Sequence, residues 1–118
     1  MHEIESRYVL LETYKRDGTA VCTPVWFVSK GGTIYIVTRD QTGKVKRLRN
    51  NAGVRLAACG IRGAVKGSWL SGTSEFVMPE KTDEVVSWRD EKYGILARLA
   101  KFLSRGRGDL IALAITLK

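Results

Sequence analysis

The chain has 118 residues, of which 44% are hydrophobic and 27% are charged. These proportions are typical of a soluble globular domain, no low-complexity tract or internal repeat is visible, and the length suits a single domain over residues 1–118. Its apolar runs are far shorter than the roughly 20 residues that span a bilayer, and its first residues lack the features of a signal peptide. We therefore expect a cytoplasmic protein with no membrane partner.

The chain contains two cysteines, Cys22 and Cys59, and one histidine, His2. Because these are too few for the usual nitrogen and sulfur ligands of zinc, we expect no metal site. Both cysteines lie in apolar stretches that read as β-strands, which predicts buried thiols in a reducing compartment. A disulfide between the two is the alternative.

The positive charge is concentrated in one part of the chain. The net charge is +8, and residues 39–66 contain eight basic residues against one acidic residue, Asp40. A localised positive field indicates an anionic partner. Nucleic acid, a membrane surface or a phosphorylated small molecule would each supply the negative charge.

The first elements in chain order are predicted to be three strands. Residues 8–14 are rich in β-forming side chains, and the Asp17-Gly18 pair after them is a strong hairpin signal. Residues 21–28 form the second strand, with an edge or a bulge at Pro24 because proline lacks a backbone donor. A turn with two glycines leads to the third strand over 34–38.

The spacing of apolar residues then changes from that of a strand to that of a helix. Residues 42–51 (TGKVKRLRNN) place two apolar residues one helical turn apart, which predicts a short helix with a thin apolar stripe and a basic outer face. Thr42 is the expected N-cap and Asn50-Asn51 the expected end. Strands are predicted again over 54–59 and over 65–77, the second one bent at a glycine.

The last part of the chain is predicted to be helical and then to end in a strand. A helix starts at Pro79, and apolar residues keep helical spacing to about residue 104, with a break or kink at Gly94. Residues 105–108 form a turn and residues 110–117 a buried strand. Six strands with two helical insertions predict a mainly β (α+β) fold, a six-stranded antiparallel split β-barrel with short helices.

The predicted start of the short helix, Thr42-Gly43-Lys44, is the first candidate for a binding site. A helix start presents free N–H groups and a partial positive charge, Gly43 lets an anion approach the backbone, and Lys44 adds a full charge. A cation in the first turn is unfavourable beside the helix dipole, so a phosphate at this place would explain Lys44. The alternative is a solvated basic helix face.

The second candidate is the proline-broken strand over 23–27 (TPVWF). Its two aromatic residues would form a flat apolar wall, and its unpaired N–H and C=O groups would bind the edge of a heterocycle such as an isoalloxazine or deazaflavin ring. The alternative is ordinary packing in the core. The same two interpretations apply to Trp69, which lies between Gly67 and Gly72.

The chain resembles the pyridoxamine 5′-phosphate oxidase-like split-barrel proteins in five segments that occur in the same order. The segments are TPVWFV (23–28), IYIVT (34–38), TGKVKRLRNN (42–51), VRLAAC (54–59) and KYG (92–94). More narrowly, it is similar to the branch named as dependent on coenzyme F420, a deazaflavin. The resemblance extends over nearly the whole chain, from about residue 8 to residue 116.

The resemblance implies a fold of the FMN-binding split-barrel type and a homodimer with two cofactor sites at its interface. A dimer would also cover Trp26 and Phe27, which we expect to be exposed on so small a barrel. The implied cofactor is F420, or alternatively FMN, with the ring along 23–28 and the phosphate at the helix start. The implied cofactor-binding residues are Thr23, Pro24, Val25, Trp26, Phe27, Tyr35, Val37, Thr38, Thr42, Gly43, Lys44, Arg47 and Trp69.

The resemblance further implies an oxidoreductase that transfers a hydride between the reduced deazaflavin and an unsaturated small organic molecule. The shortage of acid–base groups agrees with a reaction whose chemistry the cofactor supplies, and Tyr35 or water would provide any proton. F420 carries a phosphodiester and a polyglutamate tail, whereas FMN has one phosphate. The basic stretch over 39–66 therefore favours F420 modestly.

A function of a different class remains open at this point. The protein would then be a non-catalytic cofactor carrier or a module that binds nucleic acid through its basic helix. No recognised nucleic-acid-binding motif is present, so nucleic acid is the less favoured partner. The residues that would contact a phosphate backbone are Lys44, Lys46, Arg47 and Arg49.

Overall fold

Seven β-strands and three α-helices follow one another along residues 6–118, the part of the chain that the computed structural model describes. The strands are β1 (Tyr8–Tyr14), β2 (Ala20–Val25), β3 (Val28–Lys30), β4 (Thr33–Arg39), β5 (Gly53–Cys59), β6 (Leu70–Phe76) and β7 (Leu110–Leu117). The helices are α1 (Gly43–Asn50), α2 (Pro79–Tyr93) and α3 (Ile95–Ser104), and a 3-10 turn, Arg105–Arg107, follows α3.

The strands form one antiparallel sheet whose two edges come from consecutive parts of the chain. Their order is β2-β1-β5-β6-β7-β4-β3, so β2 and β3 lie at opposite edges although only Trp26 and Phe27 separate them. One bent segment therefore joins both edges, and the sheet curls into a split barrel. The predicted split-barrel fold is confirmed, with seven strands instead of six because the strand predicted over 21–28 is divided into β2 and β3.

The division of that strand lies at Trp26 and Phe27 and not at Pro24. Pro24 is inside β2, opposite Leu10 of β1, and β2 is an edge strand, as predicted for a residue without a backbone donor. At the division the N–H of Phe27 donates to the hydroxyl of Tyr93, at 3.1 Å. A side chain at the end of α2 thus takes the place of a strand partner.

The strand predicted over 65–77 is shorter in the structure, where β6 begins at Leu70. The residues before it fold back on the end of β5, because the N–H of Lys66 donates to the carbonyl of Ala58 at 2.8 Å. Gly63 allows this turn with a φ of 86°, a conformation that residues with a side chain rarely adopt. Trp69 consequently lies just before the strand instead of inside it.

The interior of the barrel contains the main apolar core. Every second residue of β4 is buried, as expected for a strand with one face on a core. Helix α1 packs on β1 with its apolar stripe, Val45 and Leu48, which are 0% and 3% exposed. The core residues are Val9, Leu11, Phe27, Ile34, Ile36, Leu48, Val54, Leu56, Leu113 and Ile115.

Gly94 separates α2 from α3, which confirms the predicted break. Its φ is 60°, and its N–H donates to the carbonyl of Asp90 at 2.8 Å and ends α2. Helix α3 is covered differently from α1, since only Ala97 among its ten residues is fully buried. None of the helices in the described residues is long and apolar enough to cross a bilayer.

The two thiols have different surroundings. Cys59 is buried at the end of β5, whereas Cys22 is exposed on the edge strand β2, and they are not bonded to each other. The prediction of a buried thiol is confirmed for Cys59 and wrong for Cys22, because an edge strand of a curled sheet has side chains that reach solvent. Burial raises the pKa of the Cys59 thiol.

Candidate cofactor-binding cleft

A cleft of about 500 Å³ lies where the end of β4, the start of α1 and the end of α3 meet. This volume is within the range of sites that hold a cofactor or a drug-sized molecule. Apolar side chains form one part of the cleft and cations with hydroxyls form the other. The lining residues are Val25, Trp26, Val37, Thr38, Arg39, Thr42, Lys44, Arg89, Ala100, Leu103, Ser104, Arg107 and Leu110.

The charges of this cleft all have one sign. Four of its lining residues are cations, and none of the lining residues in the described chain is a carboxylate. Burial lowers the pKa of Lys44, and the nearby charges of Arg47 and Arg107 lower it further. The Lys44 ammonium donates to the hydroxyl of Thr38 at 3.3 Å. Because the charges of two arginines act on the desolvated Lys44 amine, an anion in this position would be strongly favoured.

The start of α1 has no side-chain cap. Thr42 occupies the N-cap position as predicted, but its hydroxyl donates to the carbonyl of Arg39 at 3.0 Å and accepts no helix N–H. A Cβ at Gly43 would come within 2.9 Å of an Arg47 guanidinium nitrogen, so glycine lets Arg47 lie along the first turn. Arg47 is fixed there by donating to the hydroxyl of Thr13 at 2.7 Å. The first turn therefore combines uncapped N–H groups with two cations.

The loop after α3 is fastened to the end of β4 by polar contacts. The guanidinium of Arg39 donates to the carbonyls of Lys101 and Gly108, at 2.8 and 3.0 Å, and to the hydroxyl of Ser104 at 3.1 Å. Gln41 donates its N–H to the carbonyl of Arg107 at 2.9 Å. Gly108 has a φ of 97° and lies so close to Asp40 that a side chain would collide with it. These contacts bring Arg107 to the cleft.

The aromatic wall of the cleft is positioned by Tyr93. The ring of Trp26 stacks on that of Tyr93 with a centroid distance of 4.6 Å and an interplanar angle of 13°. The Tyr93 hydroxyl lies 2.8 Å from the carbonyl of Arg7 and 3.0 Å from that of Phe27. The Tyr93 side chain therefore stabilises both the break between β2 and β3 and the position of the Trp26 ring at that break.

The structure gathers six of the predicted cofactor-binding residues in this cleft and leaves the others outside its lining. Those in the cleft are Val25, Trp26, Val37, Thr38, Thr42 and Lys44. Those outside are Thr23, Pro24, Phe27, Tyr35, Gly43, Arg47 and Trp69. Their roles stay predictions.

Phe27, Tyr35 and Trp69 pack elsewhere. Phe27 belongs to the barrel core and is 3% exposed, so the expectation of an exposed Phe27 is wrong. Tyr35 packs edge-on against Trp88 of α2 with centroids 5.2 Å apart, and lines a separate recess. Trp69 lies under the guanidinium of Arg55, at 4.6 Å from its ring centroid. Trp26 itself is half-buried and not exposed.

Sequence reasoning missed most of the residues contributed by the second half of the chain. Arg89 is the clearest case, since it is 6% exposed and bonded to Asp90 at 3.2 Å on a helix that showed no charge pattern. Arg107 stands in a turn, where a basic residue is unremarkable. The apolar spacing of α3 was the one available signal, and it predicted the helix without showing that Ala100 and Leu103 line a cleft.

A second, strongly basic cleft of about 450 Å³ lies between the β1–β2 hairpin and the outer face of α1. Five of its seven lining residues are cations, and among the described residues none that lines it is acidic. Arg47 belongs to this basic cleft and also affects the charge of Lys44, so the two clefts are electrostatically linked. The lining residues are Tyr14, Lys15, Arg16, Lys46, Arg47, Arg49 and Asn50.

Residues 3–118 match the sequence profile of the family described as Pyridoxamine 5′-phosphate oxidase. The chain belongs to the pyridoxamine 5′-phosphate oxidase family. This agrees with the resemblance seen in the sequence and with the split barrel. No curated protein matches the sequence.

Solved structures of this fold show the same architecture at low sequence identity. A conserved hypothetical protein from Mycobacterium tuberculosis is 21% identical with a TM-score of 0.73, and the match covers 97% of this chain and 74% of that one. The heme storage protein HutZ from Vibrio cholerae is 15% identical with a TM-score of 0.72, covering 97% and 83%. A protein called F420 reductase is 16% identical with a TM-score of 0.71, covering 98% and 90%. At these identities the similarity shows the fold alone.

Proposed function

We propose that this protein binds coenzyme F420 in the cleft beside Lys44 and transfers a hydride between the reduced cofactor and a small unsaturated organic molecule. One observation carries the proposal. The cleft joins an apolar wall that contains Trp26 to four cations, and none of the described residues that line it is a carboxylate. A flat heterocycle with a phosphate needs this combination.

The residues present fit such a cofactor by their chemistry. Lys44 and Arg107, with the uncapped first turn of α1, would hold a phosphate, because each is cationic or presents a free donor. Trp26, Val37 and Leu103 would contact the ring system. The bound deazaflavin supplies the hydride, as cofactors of this class do.

The chain itself would contribute binding, orientation and exclusion of water. Within the described residues, no carboxylate, imidazole or phenol lines the cleft. Tyr35, the candidate proton donor from the sequence, lies in the separate recess beside Trp88. Proton transfer from solvent water is therefore the proposed route where the substrate requires one. The ring of Trp26, fixed against Tyr93, would set the face on which a substrate approaches.

The basic cleft is the reason for preferring F420 to FMN. F420 continues beyond its phosphodiester into a chain of glutamates, and the five cations of the basic cleft would attract those carboxylates. FMN ends at one phosphate and leaves these cations without a role. An F420 reductase is among the structures that share the fold. FMN remains the alternative cofactor for the same site.

A homodimer is part of the proposal. The expected exposure of Trp26 and Phe27 does not support it, since Trp26 is half-buried and Phe27 is buried. The support comes from the sequence resemblance and from other exposed apolar side chains, such as Val65 and Phe76, which are 47% and 37% exposed. Light scattering at micromolar concentration should give twice the mass of the chain, and a monomer would contradict the dimer.

The basic cleft also favours a second candidate, a non-catalytic polyanion binder. Nucleic acid would lie along the cations of α1 and the β1–β2 hairpin, and its affinity would fall steeply with salt. A cofactor ring in the apolar part of the first cleft would remain bound at high salt. One of the structures that share the fold is a protein whose name describes heme storage, so the fold is not limited to proteins named as enzymes.

The test of the proposed site is a tryptophan-quenching titration with F420 and with FMN. Lys44→Ala should weaken binding by about 1–3 kcal/mol, as the loss of a charge-assisted hydrogen bond does. Lys66→Ala is the matched control, because Lys66 is an exposed lysine that lines neither cleft. Equal affinities for Lys44→Ala and the unsubstituted protein would contradict the proposed phosphate site.

Two further comparisons sharpen this titration. Trp26→Phe should remove most of the quenching while Trp69→Phe preserves it, because only Trp26 lines the cleft among these two. Tight binding of F420 that persists at high salt supports the proposed function. A preference for FMN would indicate a flavoprotein with the same fold. If the protein binds neither F420 nor FMN, the result supports the polyanion binder.

A further inference from the structure

Helix α3 leaves its large apolar side chains exposed, although Leu103 also lines the cleft. Its covered apolar residues are small, with Ala97 fully buried and Ala100 half-buried. Its five bulky apolar residues are exposed to between 44% and 79%. We call these five residues the outer face of α3: Ile95, Leu96, Leu99, Phe102 and Leu103.

The outer face is one continuous stripe. Positions i, i+1, i+4, i+7 and i+8 fall on the same side of an α-helix, so these side chains run along a helix of roughly 15 Å. An apolar surface of this kind is uncommon on a protein that stays free in water and marks a place of contact. Helices of this pattern with basic flanks lie in the interface of a membrane.

The charges around the outer face point to an anionic partner. Residues 95–108 contain four cations and no acidic residue, and Asp90 and Glu91 of α2 lie beside the first turn of α3. Lys101 pairs with Asp90 at 3.6 Å, but within the described residues Arg98, Arg105 and Arg107 form no ion pair. The guanidinium of Arg105 lies over the ring of Phe102, at 4.2 Å from its centroid. A cationic edge therefore directly adjoins the apolar stripe.

We propose that the outer face of α3 binds peripherally to the surface of an anionic lipid bilayer. The apolar side chains would enter the boundary between headgroups and acyl chains, and Arg98 and Arg105 would contact lipid phosphates. A second copy of the chain fits this face less well, because its own α3 would add further cations, and Asp90 beside that helix already pairs with Arg89 and Lys101. The expectation of no membrane partner came from the lack of a spanning segment, which leaves surface binding open.

Sedimentation with vesicles tests this proposal in the full chain. The protein should bind vesicles of phosphatidylglycerol mixed with phosphatidylcholine more strongly than vesicles of phosphatidylcholine alone, and added salt should reduce the difference. Leu99→Gln with Phe102→Gln should lower binding by about tenfold or more, since two large apolar contacts are lost. Ile61→Gln with Met78→Gln is the matched control, because both residues are 70% exposed and lie outside α3.

Three results would overturn the proposal. The first is an unsubstituted protein that does not sediment with anionic vesicles. The second is equal binding by the α3 double variant and the control double variant. The third is a change from dimer to monomer in light scattering that is specific to the α3 variant, which would assign the outer face to a second copy. Leu103 and Arg107 are left unchanged in these variants because they also line the cleft.

Discussion

Helices α1 and α3 are both short, amphipathic and basic, yet they use their apolar sides in opposite ways. In α1 the two apolar residues, Val45 and Leu48, are 0% and 3% exposed against β1. In α3 Leu99 and Leu103 are 55% and 73% exposed. Periodicity predicts that a helix forms, whereas the neighbouring surface decides which side is covered. The small residues Ala97 and Ala100, and not the leucines, are the apolar residues of α3 that are covered.

The largest effect expected from this difference is on stability. Leu48→Ala should lower the free energy of unfolding by about 2–5 kcal/mol, because it leaves a cavity under α1. Leu99→Ala should change it by no more than about 0.5 kcal/mol, since the side chain is mostly in water. Urea unfolding at neutral pH measures both. A large loss in Leu99→Ala would break the comparison, because it would mean that something covers α3 in solution.

Low pH should reduce the stability of β1, the strand on which α1 packs. Glu12 lies in β1, is 5% exposed, and accepts two hydrogen bonds from Arg55 at 2.7 and 2.9 Å. The hydrogen bond from Arg55 lowers the pKa of Glu12 to about 2, against the opposing effect of burial. Because this pKa is lower in the folded state than in the unfolded chain, the ionised carboxylate stabilises the fold above about pH 5. That stability disappears as the pH falls toward 2.

The contribution of Glu12 should be about 2–3 kcal/mol, since one pKa unit corresponds to about 1.4 kcal/mol and Arg55 is partly exposed. Unfolding of the unsubstituted protein and of Glu12→Gln between pH 5 and pH 2 measures it. The unsubstituted protein should lose this extra stability as the pH falls, and the variant should not. Parallel pH profiles for the two proteins would show that Glu12 does not have the lowered pKa.

The smallest effect concerns the attachment of α3. Arg39 joins β4 to the carbonyl of Lys101, the hydroxyl of Ser104 and the carbonyl of Gly108. Arg39→Gln should cost about 1 kcal/mol or less in global stability, because these contacts are near the surface. It should instead speed amide exchange in α3, which few buried contacts hold in place.

Arg98→Gln is the control for that measurement, because Arg98 is an exposed arginine of α3 with no hydrogen bond within the described residues. Exchange in α3 should stay unchanged in this variant. If Arg39→Gln destabilises the whole protein as much as Leu48→Ala, the two helices are attached equally firmly and the contrast between them disappears.

Most of the fold could be predicted because local patterns determine it. The hairpin at Asp17-Gly18, the short helix after Thr42 and the break at Gly94 all follow from backbone preferences of a few neighbouring residues. The division of the second strand could not be predicted in this way. It depends on the hydroxyl of Tyr93, which is 66 residues from Phe27 in sequence.

The candidate site was predictable only on one side. Lys44 and Trp26 stood in recognisable segments, and the structure brings both to one cleft. Arg89 and Arg107 come from later parts of the chain and reach the cleft through packing of α2 and through the bonds of Arg39 and its neighbours. Contacts between distant residues leave no periodic signal, so the sequence alone gives half of this cleft.

The position of β7 within the sheet has a consequence for synthesis of the chain. β7 is the last strand to be made, yet it lies between β6 and β4 and pairs with both. Before residues 110–117 emerge, the strands can form only two separate groups, β2-β1-β5-β6 and β4-β3. The cleft needs Leu110 and the loop before it, so a nascent chain should form the cleft only when this final strand closes the sheet.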